Sequence, residues 1–411
     1  MSRRELTIER VDRIAEVDCA AWARVAANDV YAQQGWLRVI EDTVAEASRP
    51  IYFLAFENGD LQGAAICYRF DRGDLPSSLE RQLFGRLAVG ARRLGGSLSP
   101  ALYCGPLIGQ GRYLLWRRDL PANVVDTLLG ALLEEICLFA SAERLLLAVG
   151  KLPAHETPLI KALTGRRFIR TLNWPVSYID LEWPDFDAYV AHLGGGSSMA
   201  TKVRREVAGP AKSGLKLEPG AELPHRGAEI YELIRANLDA HSRISIDIAP
   251  EFLQQLKAWH AGQSVVSVAT SSDGALMGAA LLLTAGERAA GPLIGLNDDE
   301  RNRKAFTYFN LAFYTPVKYC LDHGIKRLEL GAGLYGMKRR RGCRELEIAL
   351  FIKPRTILDR LFWRLACALH RTWVIAKLRG QGVRIEDIRG PEADSGAERS
   401  QSLPDRGRGS V

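Results

Sequence analysis

Hydrophobic and polar positions along the chain fall into two similar runs. In the first, Phe53-Leu54-Ala55-Phe56 is an apolar strand, Glu57-Asn58-Gly59-Asp60 a polar turn, and Leu61-Gln62-Gly63-Ala64-Ala65 a second strand. In the second, Val265-Val266-Ser267-Val268-Ala269 passes through Asp273-Gly274 to Leu276-Met277-Gly278-Ala279-Ala280. Asn-Gly and Asp-Gly tolerate positive φ at little cost, so each run predicts a β-hairpin. The pentapeptide Gly-Pro-Leu-Ile-Gly then follows in both, at 105–109 and at 291–295. After each pentapeptide come an apolar helical stretch and a strand, Arg144-Leu145-Leu146-Leu147 and Arg327-Leu328-Glu329-Leu330. Three matching elements in one order, far apart along the chain, indicate duplication of a whole domain.

The repeat sets the predicted boundaries. The first unit covers residues 1–183 and carries an Arg-, Gly- and Ser-rich insertion at 71–102; the second covers 184–353. Near the join, Asp185 is placed to cap a helix through Phe186, Tyr189, Val190 and Leu193 that stops at Gly194-Gly195-Gly196. Residues 355–379 form a basic, strongly apolar helix, read either as a contact for a membrane surface or RNA, or as a helix docked on the second unit. From 380 to 411 the composition is too poor in apolar residues to order itself, and a disordered tail is expected.

Composition narrows the function classes. The chain has 411 residues, 47% of them hydrophobic and 25% charged, which excludes collagen-like, coiled-coil and wholly disordered proteins. No secretory signal and no apolar run of spanning length is seen, so a cytoplasmic location is expected. The seven cysteines and seven histidines include no CxxC pair and no HExxH, so no metal site is expected. A net charge of +7 favours acidic partners such as nucleotides, phosphates or RNA.

Several segments together resemble the tandem GNAT acyltransferase fold of the Fem-type aminoacyl-tRNA-dependent transferases and related acetyltransferases. They are Trp36-Leu37 with Tyr52-Phe53-Leu54-Ala55; Thr201 to Val207 with Ala211 to Glu218; and Tyr308 through Gly333, ending at Tyr335-Gly336-Met337-Lys338. The resemblance implies an α/β protein of two GNAT-like domains. Each would be a mixed, mostly antiparallel sheet with a splayed central strand pair, flanked by helices. It implies amide-bond formation between an activated donor, aminoacyl-tRNA or acyl-CoA, and an amine acceptor such as a small molecule or a cell-envelope precursor. No permanently bound cofactor is expected.

GNAT enzymes that use acyl-CoA cradle its pyrophosphate on a glycine-containing loop at a helix start. The equivalent stretch here, Asn297 to Thr307, has no glycine pair and places Asp298, Asp299 and Glu300 ahead of Arg301, Arg303 and Lys304. Arg86-Leu87-Ala88-Val89-Gly90-Ala91 imitates part of that signature but lies in the insertion, and is read as coincidence. The donor expectation therefore leans towards aminoacyl-tRNA. An acyl-CoA-dependent N-acetyltransferase is the alternative, and a non-catalytic module binding a sugar nucleotide or lipid-linked intermediate is the alternative of another class.

Amide formation from an activated ester needs orientation, removal of an ammonium proton and stabilisation of an oxyanion. Asp298 or Glu329 is the candidate base, Glu329 being equally readable as the solvent face of a strand. Tyr308 is the candidate donor to the leaving group, with packing beside Phe306, Phe309 and Phe313 as the other reading. Lys338 opens the run Lys338-Arg339-Arg340-Arg341 after a glycine-rich loop, as a phosphate clamp or a solvated charge run. Asn297, Asn310 and Tyr335 complete that group of binding candidates. Lys202, Arg204 and Arg205 form a second basic group on a helix that Ser197 or Ser198 would cap. His241 with Asp247 is a further candidate pair.

Overall fold

The computed structural model describes residues 6–44, 48–71, 99–193, 198–221, 226–241, 248–384, 386 and 388. Its strands are β1 (Leu6–Val11), β2 (Arg49–Glu57), β3 (Asp60–Phe70), β4 (Ala101–Cys104), β5 (Leu114–Trp116), β6 (Leu146–Pro153), β7 (Ile169–Leu172), β8 (Val176–Asp180), β9 (Leu215–Ala221), β10 (Ser264–Ser271), β11 (Leu276–Ala285), β12 (Arg288–Leu296), β13 (Arg327–Glu329), β14 (Arg344–Leu346) and β15 (Ile348–Lys353). They make two mixed sheets, ordered β1-β2-β3-β4-β6-β15-β7, with β5 also on β3, and β14-β8-β13-β12-β11-β10-β9.

Both predicted hairpins are present. β2 and β3 are antiparallel across Asn58 (φ 53°) and Gly59 (φ 82°), and β10 and β11 across a turn in which Gly274 has φ 82°. Each sheet holds one central parallel pair, β4 with β6 and β12 with β13. The first sheet buries one face under α3 (Ala122–Ala142), whose Leu128, Leu129, Leu132, Leu133 and Ile136 follow the helical period. Against the second sheet lies α7 (Gly227–His241), following α1 (Cys19–Ala26), α2 (Gln34–Thr43), α4 (Thr157–Gly165), α5 (Phe186–His192) and α6 (Ser198–Val207). Gly295 permits this close approach, since a Cβ there would stand 2.3 Å from the Leu233 carbonyl carbon. Asp185 caps α5 as expected, accepting from the Ala188 N–H at 2.7 Å.

Strand exchange joins the two units. β8 comes before the predicted boundary at 183/184 yet lies in the second sheet between β14 and β13, while β15 lies in the first sheet between β6 and β7. Neither sheet is therefore built from one side of that boundary alone. The units also share a core: α2 packs on α8 (Phe252–Trp259), with the Trp36 and Phe252 rings edge to face at 6.1 Å.

Other boundaries shift as well. Ala101 and Leu102, expected at the end of the insertion, belong to β4 and pair with Phe70 and Arg69; residues 72–98, including Arg86–Ala91, lie outside the described residues. So do Gly194–Gly196, Ser197 and Asp247. Further helices include α9 (Glu300–Lys304), α10 (Thr315–Asp322), α11 (Tyr335–Arg339) and α12 (Ile357–Gly380). The start of the expected disordered tail is ordered. Val383 and Ile388 are buried against Leu378 and Val374, because the chain turns back on α12 with the Val383 N–H bonded to the Leu378 carbonyl at 2.9 Å. Residues 389–411 lie outside the described set.

Candidate functional site

The second unit opens between its central strands. β12 and β13 stay in register for only three pairs, ending at Ala290↔Glu329. Beyond that point β12 remains on β11 as far as Leu296, with a bulge between Leu281 and Leu283, while the other chain turns away through Gly331 (φ 69°) and Gly333 (φ 84°). Between them lies a cavity of about 250 Å³ lined by Leu293, Ile294, Tyr308, Ala312, Leu330 and Lys338, among others. Its helical wall is irregular for a physical reason. Pro316 has no N–H to offer the carbonyl of Ala312, and the turn before it, Asn310–Tyr314, widens to a π-helix.

Lys338 holds this opening in shape. Its ammonium donates to the carbonyls of Leu330 at 2.7 Å and Gly331 at 3.0 Å, the latter also accepting from the Ser177 N–H at 3.0 Å. Burial lowers its pKa to about 8. The rest of the basic run is largely engaged internally. Arg339 pairs with Glu345 at 2.8 Å, and Arg341 with Glu206 at 2.6 Å, both ends of the latter pair being almost fully buried. Arg341 also donates to the Tyr314 hydroxyl at 2.7 Å, and Tyr314 donates to Glu206. Arg340 is the exposed member. The Glu206–Tyr314–Arg341 network is not visible in sequence, since its members lie on three distant segments. Glu206, isolated among the basic residues of α6, is the one hint.

Glu329 faces the other side of its strand. It lines a narrow crevice between the two sheets with Asp29, Arg112, His155, Glu156 and Arg288. Its side chain is 16% exposed and stands 3.8 Å from Arg288, so it occupies an inter-unit crevice and not an open solvent face. Burial raises its pKa, the neighbouring Arg288 opposes this, and Asp29 adds to it. Arg112 projects into the same crevice at 1% exposure. Its Nε pairs with Asp29 at 2.6 Å and its plane stacks 4.4 Å from the Trp116 ring. Both terminal guanidinium nitrogens of Arg112 are buried without a hydrogen-bond partner. Sequence reasoning missed this arginine; its signal is a lone charge directly before the apolar run Tyr113-Leu114-Leu115-Trp116.

The other candidates separate into three groups. Tyr308 reaches the cavity; it is 37% exposed, packs edge to face on Phe309 at 5.6 Å, and its pKa is raised by burial. Asn297, Asn310 and Tyr335 are tied to the backbone. Asn297 donates to the Leu276 carbonyl at 3.0 Å, Asn310 to the Glu206 carbonyl at 2.9 Å, and Tyr335 to the Pro175 carbonyl at 2.9 Å. Asp298, Lys202, Arg204 and Arg205 are exposed and line neither the cavity nor the crevice. Among the described residues no His, Cys, Asp and Glu group could hold a metal ion.

The start of α9, where an acyl-CoA pyrophosphate would be sought, already holds an anion. The Asp299 carboxylate accepts from the Arg301 N–H at 2.8 Å and pairs with its guanidinium at 2.7 Å, and Glu300 follows in the first turn.

A family model described as peptidoglycan biosynthesis/recognition, FemAB-like, matches residues 13–349. Solved structures similar to the chain include FemX, with a TM-score of 0.56 at 12% identity over 87% of this chain and 100% of that one. Another is the C-terminal domain of a putative lysylphosphatidylglycerol synthetase from Agrobacterium fabrum, with a TM-score of 0.52 at 12% identity over 88% and 97%. A tandem GNAT protein from the clavulanic acid biosynthesis pathway has a TM-score of 0.47 at 13% identity over 85% and 98%. At these identities the likeness is one of fold. No curated protein matches the chain.

Proposed function

The chain belongs to the FemAB-like family, and from that membership we propose that it is an N-acyltransferase joining an activated aminoacyl group to the amine of a cell-envelope precursor. The observation that carries the reading is the meeting of two spaces at β13: the apolar cavity reaches Leu330 and Gly331, and the charged crevice reaches Glu329 next to them. In this reading the acyl ester enters the parted strands and the acceptor amine lies in the crevice.

Glu329 takes the proton as the amine attacks the ester carbonyl; its burial-raised pKa brings it closer to the working pH of a general base. Main-chain groups of β12 beyond Ala290, no longer paired to β13, face the developing oxyanion. As the carbon–oxygen bond to the donor breaks, Tyr308 protonates the departing alkoxide oxygen, releasing it as the free hydroxyl, and regains its proton from solvent. Lys338 keeps the opening in place and has one N–H left for the acyl carbonyl. Aminoacyl-tRNA is favoured over acyl-CoA because a diphosphate at α9 would face Asp299 and Glu300. The exposed Lys202, Arg204, Arg205 and Arg340 are suited to tRNA phosphates.

The test supplies radiolabelled aminoacyl-tRNA, or labelled acetyl-CoA, together with an amine-bearing peptidoglycan precursor. Label is expected to pass from tRNA into an amide on the precursor, about 10²–10⁴-fold more slowly with Glu329→Gln. Transfer from acetyl-CoA alone would refute the donor assignment, and no transfer from either would refute the transferase reading.

A further inference from the structure

α12 is apolar on two faces. Its inner face buries Trp363, Cys367, His370, Val374 and Leu378. The helix lies over β7 at the edge of the first sheet, where the Thr171 hydroxyl donates to the Cys367 carbonyl at 3.0 Å. This satisfies the expectation of a docked helix, although its partner strand belongs to the first sheet and not the second. The outer face is not explained by that docking. Ile357, Leu361, Leu365 and Leu369 recur at every fourth position, and so fall along one side of the helix. They are 82%, 62%, 63% and 63% exposed, and Trp373, the next in the series, is 38% exposed.

Single exposed apolar residues are ordinary, but a row of four along one helix is not. The charge beside the row is of one sign. Arg360, Arg364, Arg371, Lys377 and Arg379 lie on α12, with Asp359 its one acidic residue. Long basic side chains flanking an apolar helical stripe can rest their stems on the hydrocarbon boundary and reach phosphate with their heads. No described helix is long and apolar enough to cross a membrane, so any contact of this kind lies along the surface.

We infer that the outer face of α12 is a docking surface for an anionic lipid bilayer, with Ile357, Leu361, Leu365 and Leu369 inserted at the acyl boundary and the flanking arginines on lipid phosphates. The inference is independent of the proposed transferase chemistry, and its test needs no activity. Full-length protein is centrifuged with vesicles of pure phosphatidylcholine and with vesicles containing phosphatidylglycerol. The wild type is expected to pellet with the anionic vesicles and to remain in solution with the neutral ones. Raising the salt from ~0.1 to ~0.5 M should weaken that binding.

Leu365→Asp with Leu369→Asp is expected to lower the bound fraction at least tenfold, with an unchanged thermal midpoint, since neither side chain is part of the core. Arg364→Glu with Arg371→Glu should abolish the preference for anionic lipid. A wild type that stays in the supernatant, or a Leu365→Asp, Leu369→Asp variant that still pellets, overturns the inference. So does a concentration-dependent dimer that the leucine variant abolishes without any vesicle binding in the wild type, because the face would then belong to a second copy of the chain.

Discussion

Gly-Pro-Leu-Ile-Gly is folded in two different ways in this molecule. In the second unit it lies within β12, paired to β11 from end to end apart from one bulge. In the first unit the corresponding strand is broken in two. β4 pairs with the outer part of β3, β5 with the inner part, and the pentapeptide between them leaves the sheet, turning at Gly109 with φ 78°. A ring fills the place where the strands part. Tyr103, 2% exposed, lies against the backbone of Gly105 and Gly150 where β4 and β6 part, and Lys151 donates to the Leu107 carbonyl at 3.0 Å. The equivalent place in the second unit is the cavity. What leaves the first sheet is not wasted, for the excursion ends at Arg112, which enters the crevice facing Glu329. One unit thus has the opening, and the other supplies a wall of charge.

That contrast can be broken at several points. The largest effect on stability is expected from Glu206→Ala, which would strand Arg341 as a buried, unpaired cation beside the cavity. Breaking a buried pair on one side costs about 3–5 kcal/mol, to be read from urea unfolding. Next come the two pentapeptides themselves. A Cβ on Gly105 would stand 2.6 Å from the Gly150 carbonyl oxygen and 2.8 Å from the Tyr103 ring, whereas on Gly291 the nearest atom is 4.0 Å away. Gly105→Ala should therefore cost about 1–3 kcal/mol and Gly291→Ala less than about 0.5 kcal/mol. Equal costs would mean that the two openings are alike.

A smaller effect than that of Gly105→Ala concerns Lys151, a buried amine whose pKa burial lowers to about 7. Its folded value lies below its unfolded value, so between about pH 7 and 10.5 the unfolded chain binds more protons and stability rises with pH. Below pH 7 the full penalty applies. Lys151→Met should stabilise the protein at pH 6 by about 1–2 kcal/mol and flatten that rise. A variant that is less stable than wild type at pH 6 would show that the bond to Leu107 outweighs the cost of burying the charge.

Both hairpins and the cap at Asp185 were legible because each is a local pattern: an Asn-Gly or Asp-Gly turn between apolar runs, and a carboxylate three residues ahead of an N–H. Strand exchange was not, because the short, mostly apolar runs Val176–Asp180 and Ile348–Lys353 announce strands without saying which sheet receives them. Lys338 reads in sequence as a phosphate clamp after a glycine-rich loop. From sequence its ammonium is a charge awaiting phosphate; in the fold it serves the carbonyls of Leu330 and Gly331 where the chain turns out of β13. Lys338→Ala is accordingly expected to lower stability as well as binding. Asp29 and Arg112 belong to segments far apart in the chain, and no spacing rule could have paired them.

The most direct test of the account is to fill the second unit's opening and follow the reaction. Ala312, partly buried on the cavity wall, is replaced by Trp, and single-turnover transfer from aminoacyl-tRNA is measured on protein whose thermal midpoint matches the wild type. A fall of at least ~100-fold is predicted, as expected when the acyl group can no longer reach the parted strands. An unchanged rate would contradict the account and place the reaction elsewhere in the molecule.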